Sequence, residues 1–145
     1  MSHTNKQFSE TNELLEIKAE VGIAVDGTTA TEWYYIAESN RAVAIVQSLS
    51  SGGTQTTDTI FEQAQSAAGL NSKPVHTGVL SFDADGSGAL ELLTDRLDIN
   101  NGFSYIRAVT TNTGEGSDVV TVLFGYNQRN QAVTQTAIKA IATVI

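Results

Sequence analysis

Residues 97–126, LDINNGFSYIRAVTTNTGEGSDVVTVLFGY, carry the pattern that decides the fold. Asn101 and Gly102 predict a turn, because both residue types tolerate the positive φ of tight turns. In residues 103–110, the odd positions Phe103, Tyr105, Arg107 and Val109 alternate with the even positions Ser104, Ile106, Ala108 and Thr110, as in a strand with two distinct faces. The polar residues 112–118 predict a hairpin loop, and the apolar run after them predicts a second strand that is covered on both faces.

The same succession of strands and turns precedes this stretch. Residues 15–25 are apolar at the odd positions and charged at three even ones, which predicts a half-buried strand with the odd positions facing the core. Residues 32–49 predict one hairpin, and residues 78–93 predict another around the turn DADGSG. Residues 58–70 fit either a capped helix or a strand, and we favour the strand because its neighbours are strands.

Together these elements predict an all-β fold. We expect a single-domain antiparallel β-sandwich or small barrel of about eight strands, with extended terminal arms. The chain has 145 residues, which is the size of one domain with a core of its own. The expected organisation is an N-terminal arm over residues 1–12, a β-sandwich domain over residues 13–130, and a C-terminal strand or arm over residues 131–145.

The two ends of the chain differ from its middle. Residues 1–12 are mostly polar and predict either an arm that orders on a partner or a frayed terminus. Residues 132–145 are apolar, with both helical spacing and strand-like composition, and predict either a final core strand or an arm on a neighbouring subunit. The candidate partner-binding residues are large apolar side chains of these ends: Phe8, Ile138, Ile141, Val144 and Ile145.

The charge of the chain argues against anionic partners. The formal net charge is -8, and the 8 Lys and Arg residues are scattered. Binding to a phosphate backbone needs clustered positive charge, so we expect no nucleic acid and no membrane among the partners. The sequence shows neither an export signal nor a run long and apolar enough for a membrane span. The absence of Cys excludes disulfides and thiolate chemistry.

One stretch has the spacing of a calcium-binding loop. Residues 83–94 place the oxygen-bearing side chains of Asp83, Asp85 and Ser87 at the first, third and fifth positions. The twelfth position is Thr94, where the motif requires a bidentate Glu. Two oxygens and one negative charge are lost with that Glu. We therefore expect a plain hairpin turn and no metal site.

No combination of residues predicts catalysis or a cofactor. His76 has no catalytic partner that the sequence identifies. Asp95 and Asp98 flank a strand, where carboxylates more often solvate a turn than form an acid/base pair. Residues 33–35, WYY, suggest a carbohydrate platform, although consecutive aromatic rings are more often divided between the core and an interface. We predict that the chain is not an enzyme and keep a glycan-binding module as an alternative.

Residues 97–107, LDINNGFSYIR, and the loop and strand after them resemble small structural proteins of tailed bacteriophages. In those proteins a Gly-Phe-x-Tyr-(Val/Ile)-Arg segment precedes the last strands. Residues 42–73, a strand followed by TIFEQAQSAAGLNSK, are similar to their middle region. The resemblance spans residues 40–126 and leaves both ends of the chain outside it.

The resemblance implies a virion structural protein without catalytic residues or cofactors. It implies a capsid cement or decoration protein that bridges major capsid protein subunits and so stabilises the head, with a neck or tail protein as the alternative. Such a protein is assembled in the bacterial host cytoplasm and lies on the outer surface of the capsid. A homo-oligomer is expected, with a trimer favoured, because symmetric copies convert modest contacts into avidity.

Overall fold

The computed structural model describes residues 12–75 and 78–126, and these form two antiparallel β-sheets in a sandwich. The described ranges contain ten strands, two short 3-10 turns and no α-helix. In chain order the strands are β1 (Asn12–Ile23), β2 (Thr28–Ala30), β3 (Tyr34–Tyr35), β4 (Arg41–Leu49), β5 (Thr56–Ala64), β6 (Lys73–Pro74), β7 (Leu80–Asp83), β8 (Gly86–Leu93), β9 (Tyr105–Thr113) and β10 (Ser117–Tyr126). The expected all-β sandwich is confirmed.

The central strands are β10 and β4 in one sheet and β9 and β5 in the other. The four-stranded sheet has the order β1-β10-β4-β8. The six-stranded sheet has the order β2-β9-β5-β6, with β3 paired to β9 and β7 paired to β5. The two strands that the sequence defines most clearly, β9 and β10, therefore lie inside different sheets.

An apolar core fills one part of the space between the sheets. Its largest fully buried side chains, apart from that of Ile36 in the loop after β3, alternate with half-buried or exposed residues along their strands, as the period of two requires. Burial of each such side chain contributes about 1.5–3 kcal/mol relative to its exposure to water. These core residues are Ile36, Phe61, Leu92, Ile106 and Leu123.

The interior becomes polar towards the start of β5 and the end of β9. Gln55, Thr57 and Asn112 are fully buried there. The Asn112 side-chain amide donates hydrogen bonds to the carbonyl oxygens of Ala24 and Glu115. This amide thus links two of the loops that connect the sheets.

The predicted hairpins are wrong in their pairing. β9 bonds to β5 and β2, whereas β10 bonds to β1 and β4, so residues 114–116 cross from one sheet to the other. The connections β3–β4 and β7–β8 also cross between the sheets. A short polar loop reverses the chain equally well within a sheet or between two sheets. The choice depends on packing across the core, which the local sequence does not encode.

The predicted orientation of β1 is also wrong over most of its length. Ile17 and Val21 are 63% and 80% exposed, and the carboxylate of Glu16 instead turns inward, where it accepts a hydrogen bond of 2.7 Å from the Tyr34 hydroxyl. The register of β1 against β10 shifts between Leu14 and Glu16 and again between Glu20 and Ile23. A shift of one residue exchanges the two faces of a strand.

Three further predictions concern β5, β10 and the turn before β9. The strand favoured for residues 58–70 is confirmed up to Ala64. The chain then turns, and the backbone amide of Gln65 donates a hydrogen bond of 2.9 Å to the Leu70 carbonyl. β10 is buried on its inner face and half-buried at most positions of its outer face, so the expected cover on both faces is confirmed for the inner face alone. The turn at Asn101 and Gly102 is confirmed, with a φ of 85° at Gly102.

Several predictions fall outside the described residues. These are most of the N-terminal arm, the C-terminal strand or arm, His76, and the candidate contacts Phe8, Ile138, Ile141, Val144 and Ile145. Within the described ranges, no helix has the length and apolar character needed to cross a membrane.

Candidate functional site

The four-stranded sheet presents an apolar surface on the side that faces away from the core. The strand register places Ile17 opposite Val122, Val122 opposite Ile45, and Ile45 opposite Ala89. These four side chains form one continuous row across all four strands, here called the central row. The apolar outer face comprises the apolar side chains on this side of the four strands, which are Ile17, Ala19, Val21, Val43, Ile45, Leu49, Ala89, Leu93, Val120, Val122 and Phe124.

Two features of the sequence produce this face. β4 and β10 contain consecutive apolar residues, RAVAIVQSL and SDVVTVLFGY, so both of their faces carry apolar side chains. The register shifts in β1 add Ile17 and Val21 to the same side of the sheet. The runs in β4 and β10 are visible in the sequence and indicate cover on both faces. The contribution of β1 requires knowledge of the register.

The exposure of the face is unusual for a sheet that packs on one side. Ile45 is 42% exposed and Leu49 is 50% exposed, where a solvated outer face normally carries polar residues. Four strands about 4.8 Å apart, each with about nine residues of about 3.3 Å, give the whole outer side of the sheet, its polar residues included, a footprint on the order of 500–600 Å². Exposed apolar patches of a few hundred Å² are often functional surfaces.

Charged groups on this side of the sheet are confined to its margins. Arg41 and Glu91 form an ion pair, and the Arg41 guanidinium lies 5.5 Å from the centre of the Tyr126 ring. At the opposite end, an Asp118 carboxylate oxygen accepts a hydrogen bond of 2.8 Å from the Gly22 amide. The central row itself contains no ionisable side chain, so burying it would desolvate no charge.

The residues of the calcium-like spacing are held apart. The Asp83 carboxylate accepts a hydrogen bond of 2.7 Å from the Thr56 hydroxyl. The Asp85 carboxylate accepts one of 3.0 Å from the side-chain amide of Gln55 and one of 2.8 Å from the backbone amide of Ser50. Thr94 follows β8, an eight-residue strand that is about 26 Å long. Among the residues that the structure describes, no three Asp, Glu, His or Cys side chains are grouped as metal ligands.

The carboxylates Asp95 and Asp98 each face a cation rather than each other. Asp98 forms an ion pair of 2.6 Å with Lys73, and this hydrogen bond lowers the pKa of Asp98. Asp95 lies 3.9 Å from Arg96 on an exposed turn. This arrangement favours the expected role in a turn over acid/base chemistry.

Two of the aromatic residues 33–35 have partners within the fold. The Arg107 guanidinium lies 4.6 Å from the centre of the Trp33 ring and forms an ion pair with Glu62. The Tyr34 hydroxyl donates its hydrogen bond inward to Glu16, and burial together with this bond raises the pKa of Tyr34. Tyr34 is half-buried and packs against the core, so the predicted division of the rings between the core and the surface is confirmed in part.

The third aromatic residue of this run remains open to solvent. Tyr35 is 52% exposed, and its ring packs edge-on against Tyr105 at a centroid distance of 5.6 Å. Tyr35 and Tyr105 pair across β3 and β9. They form a small aromatic patch on the six-stranded sheet, away from the apolar outer face.

Comparisons with known proteins locate the fold rather than an activity. No known family profile and no curated protein sequence matches this chain. PBSX exported protein XepA is similar in structure with a TM-score of 0.53 and 10% identity, over 96% of this chain and 45% of that protein. This chain therefore spans less than half of XepA. At this identity the similarity supports the fold alone.

Two other solved structures are similar to this chain with lower TM-scores. PirA is 15% identical with a TM-score of 0.46, over 86% of this chain and 100% of PirA. The CBM22-1-GH10 modules of a Clostridium thermocellum endo-1,4-beta-D-xylanase, complexed with xylohexaose, are 8% identical with a TM-score of 0.42, over 88% of this chain and 29% of that protein. TM-scores below 0.5 add no weight to a functional assignment.

Proposed function

We propose that this chain is a structural protein of a bacteriophage virion, specifically a capsid cement or decoration protein. It binds on the outer surface of the capsid and stabilises the head by bridging major capsid protein subunits. The observation that carries the proposal is the apolar outer face of the four-stranded sheet. The phage assignment is supported by the resemblance of residues 97–107 to phage structural proteins, and it is compatible with the fold shared with a protein of phage PBSX.

The geometry provides what a cement protein requires. A rigid sandwich with an uncharged apolar face gains about 25 cal/mol for each Å² of apolar area removed from water. The gain in one contact is modest. Many copies on a symmetric shell add their contacts, so that the assembled lattice is stabilised far more than any single pair. No catalytic step and no cofactor enter this role.

Addition of the purified protein to expanded shells that lack it tests the proposal. We expect saturable binding and a rise in the temperature at which the shells disrupt, because each bound copy adds buried area that disruption must expose. Light scattering and calorimetry of shells with and without the protein measure the effect. Shells that bind no protein and disrupt at an unchanged temperature would refute the cement role.

Copy number distinguishes the capsid from the neck or tail. A cement protein follows the lattice of the major capsid protein and is present in hundreds of copies, whereas a neck or tail protein is present in a handful to a dozen. Quantitative mass spectrometry of purified virions gives this number. The terminal residues Phe8, Ile138, Ile141, Val144 and Ile145 stay predicted contacts to the shell or to a neighbouring copy.

A glycan-binding module is the second candidate, and the exposed Tyr35–Tyr105 pair favours it. Aromatic side chains that present one apolar surface suit the apolar faces of sugar rings. This function predicts glycan-array binding that is lost in Tyr35→Ala and retained in Ile45→Lys. An array that stays blank for the intact protein would exclude it.

A further inference from the structure

We infer that the free edge of β8 pairs with the same edge of a second copy of this chain. β8 lies at one side of the four-stranded sheet and bonds to β4. Within residues 12–75 and 78–126, no strand pairs with its other side. The unpaired edge of a strand presents main-chain donors and acceptors to which another strand can bind.

The register of β4 and β8 identifies the residues that face the free edge. The Thr94 backbone amide donates a hydrogen bond of 3.1 Å to the Asn40 carbonyl, one position beyond the pair of Arg41 and Leu93. Bonded and non-bonded pairs alternate along an antiparallel ladder, so the even-numbered residues of β8 bond to β4. The odd-numbered residues turn their N–H and C=O groups to the free edge. These edge residues are Ser87, Ala89, Glu91 and Leu93.

β8 lacks the features that protect the other sheet edges. β1, at the opposite side of the same sheet, carries Lys18 and Glu20 and has two shifts of register. The edge strands of the six-stranded sheet have two to four residues, and β6 contains Pro74. β8 has eight residues in an unbroken register, without Pro or Lys. Charge, bulges, proline and short length oppose strand addition, so β8 is the edge most open to it.

The side chains along this edge suit pairing with a copy of themselves. A two-fold antiparallel register centred on Leu90 places Ser87 opposite Leu93 of the second copy, and Ala89 opposite Glu91 of that copy. Each long side chain then faces a short one, and the two Glu91 carboxylates are not directly opposed. Glu91 is already paired with Arg41 in its own copy. All the edge residues bond in this register, which gives about eight main-chain hydrogen bonds.

This pairing leaves the apolar outer face available for the proposed function. The two-fold axis of an antiparallel pair runs perpendicular to the sheet, so both copies present their outer faces on the same side. The dimer would hold two shell-binding faces in one continuous sheet, and the second contact adds avidity. The inference itself rests on the edge of β8 and does not depend on the shell.

Analytical ultracentrifugation of the full chain and three variants tests the inference. Ala89→Pro removes an N–H that faces the free edge, where an edge strand tolerates proline. Ile45→Lys charges the apolar outer face, and Leu70→Lys charges a loop residue that is 58% exposed. We expect a concentration-dependent dimer for the wild type and both Lys variants. The dissociation constant should rise at least about tenfold in Ala89→Pro. Far-ultraviolet circular dichroism checks that all the proteins are folded.

Amide hydrogen exchange of the wild type gives a second readout that needs no variant. The amides of the edge residues should exchange at least about tenfold more slowly at high protein concentration than at low, because the dimer supplies their acceptors. The amides of Gly88 and Leu90 donate to β4 and should be equally protected at both concentrations. Nuclear magnetic resonance measures each amide separately.

These outcomes separate the inference from the proposed function. A chain that sediments as a monomer at every concentration would overturn the inference, as would a dimer that Ala89→Pro leaves unchanged. Edge amides that gain protection only on shells would also overturn it, because the added strand then belongs to the shell. A dimer that fails to stabilise shells would support the inference and refute the cement role. A monomer that stabilises shells would do the reverse.

Discussion

At the scale of residues, Thr57 and Thr59 are both buried in the polar part of the core, but only the Thr59 hydroxyl has a hydrogen-bond partner. The hydroxyls of Thr59 and Thr110 are bonded to each other at 2.8 Å, and both residues are buried. Thr57 is equally buried, two positions earlier on β5, and its hydroxyl has no hydrogen-bond partner. The two side chains should therefore respond differently to the same substitution.

We predict that Thr57→Val leaves stability unchanged or raises it by up to about 1 kcal/mol, because an unpaired buried hydroxyl is replaced by a methyl group. Thr59→Val should lower stability by about 1–2 kcal/mol, because it leaves the Thr110 hydroxyl unpaired. Urea denaturation measures both variants. A greater loss for Thr57→Val than for Thr59→Val would contradict the hydrogen-bonding pattern at this end of the core.

Residue patterns predicted local conformation better than contacts. The positive φ of Gly102 follows from its residue type, and the alternation along β9 correctly separates its buried and half-buried positions. Ile17 and Val21 were assigned to the wrong side, because the preference of Glu16 for the Tyr34 hydroxyl depends on a residue eighteen positions away. No local pattern carries that information.

At the scale of elements, the loops between the sheets are held by carboxylates. Asp85 accepts hydrogen bonds from the Ser50 and Gln55 amides, and a carboxylate oxygen of Glu115 accepts from the Gly52 amide at 2.9 Å. The strands joined by these loops belong to different sheets. Asp85, which belongs to the calcium-like spacing, and Glu115 thus fix connections between the sheets.

We predict that Asp85 contributes to stability above acidic pH. The hydrogen bond from Gln55, and then that from Ser50, lower the pKa of Asp85 below its ordinary value of 3.8. A carboxylate with a lowered pKa in the folded state stabilises the fold at neutral pH and loses that contribution as the pH falls through its folded pKa. Asp85→Asn should therefore lower the melting temperature at pH 7 and reduce its dependence on pH below 3.8.

Asp95→Asn is the matched control for this prediction, because it removes the same charge from an exposed turn. Differential scanning fluorimetry between neutral pH and about pH 2 compares the two variants with the wild type across the range in which carboxylates titrate. Identical pH profiles for Asp85→Asn and the wild type would show that the Asp85 carboxylate does not stabilise the loop.

The elements themselves could be predicted from the sequence, but their pairing could not. Periodicity and turn residues located β4, β8, β9 and β10 to within a few positions, whereas the strand predicted over residues 58–70 ends at Ala64. The same turn residues predicted hairpins where the chain crosses between sheets. Local propensity specifies that the chain reverses, whereas contacts between distant residues, such as Phe61 and Leu92 in the shared core, specify the sheet to which each strand belongs.

At the scale of the whole molecule, the sandwich has two unlike outer surfaces. The six-stranded sheet carries the ion pair of Arg107 and Glu62 and the Tyr35–Tyr105 pair on its outer side. The four-stranded sheet presents the apolar outer face, despite a formal net charge of -8 on the chain. The candidate contacts predicted from the sequence lie at the two ends of the chain. The structure adds the apolar outer face on the strands as a candidate contact surface, which those predictions missed.

Binding of matched variants to shells tests the account most directly. Wild-type protein, Leu70→Lys and Ile45→Lys are mixed with expanded shells, and the bound fraction is measured by co-sedimentation across a range of concentrations. We predict that the wild type and Leu70→Lys bind alike, and that Ile45→Lys loses at least about tenfold in affinity, because it charges the centre of the apolar outer face. Equal binding by all three proteins would contradict the role assigned to that face.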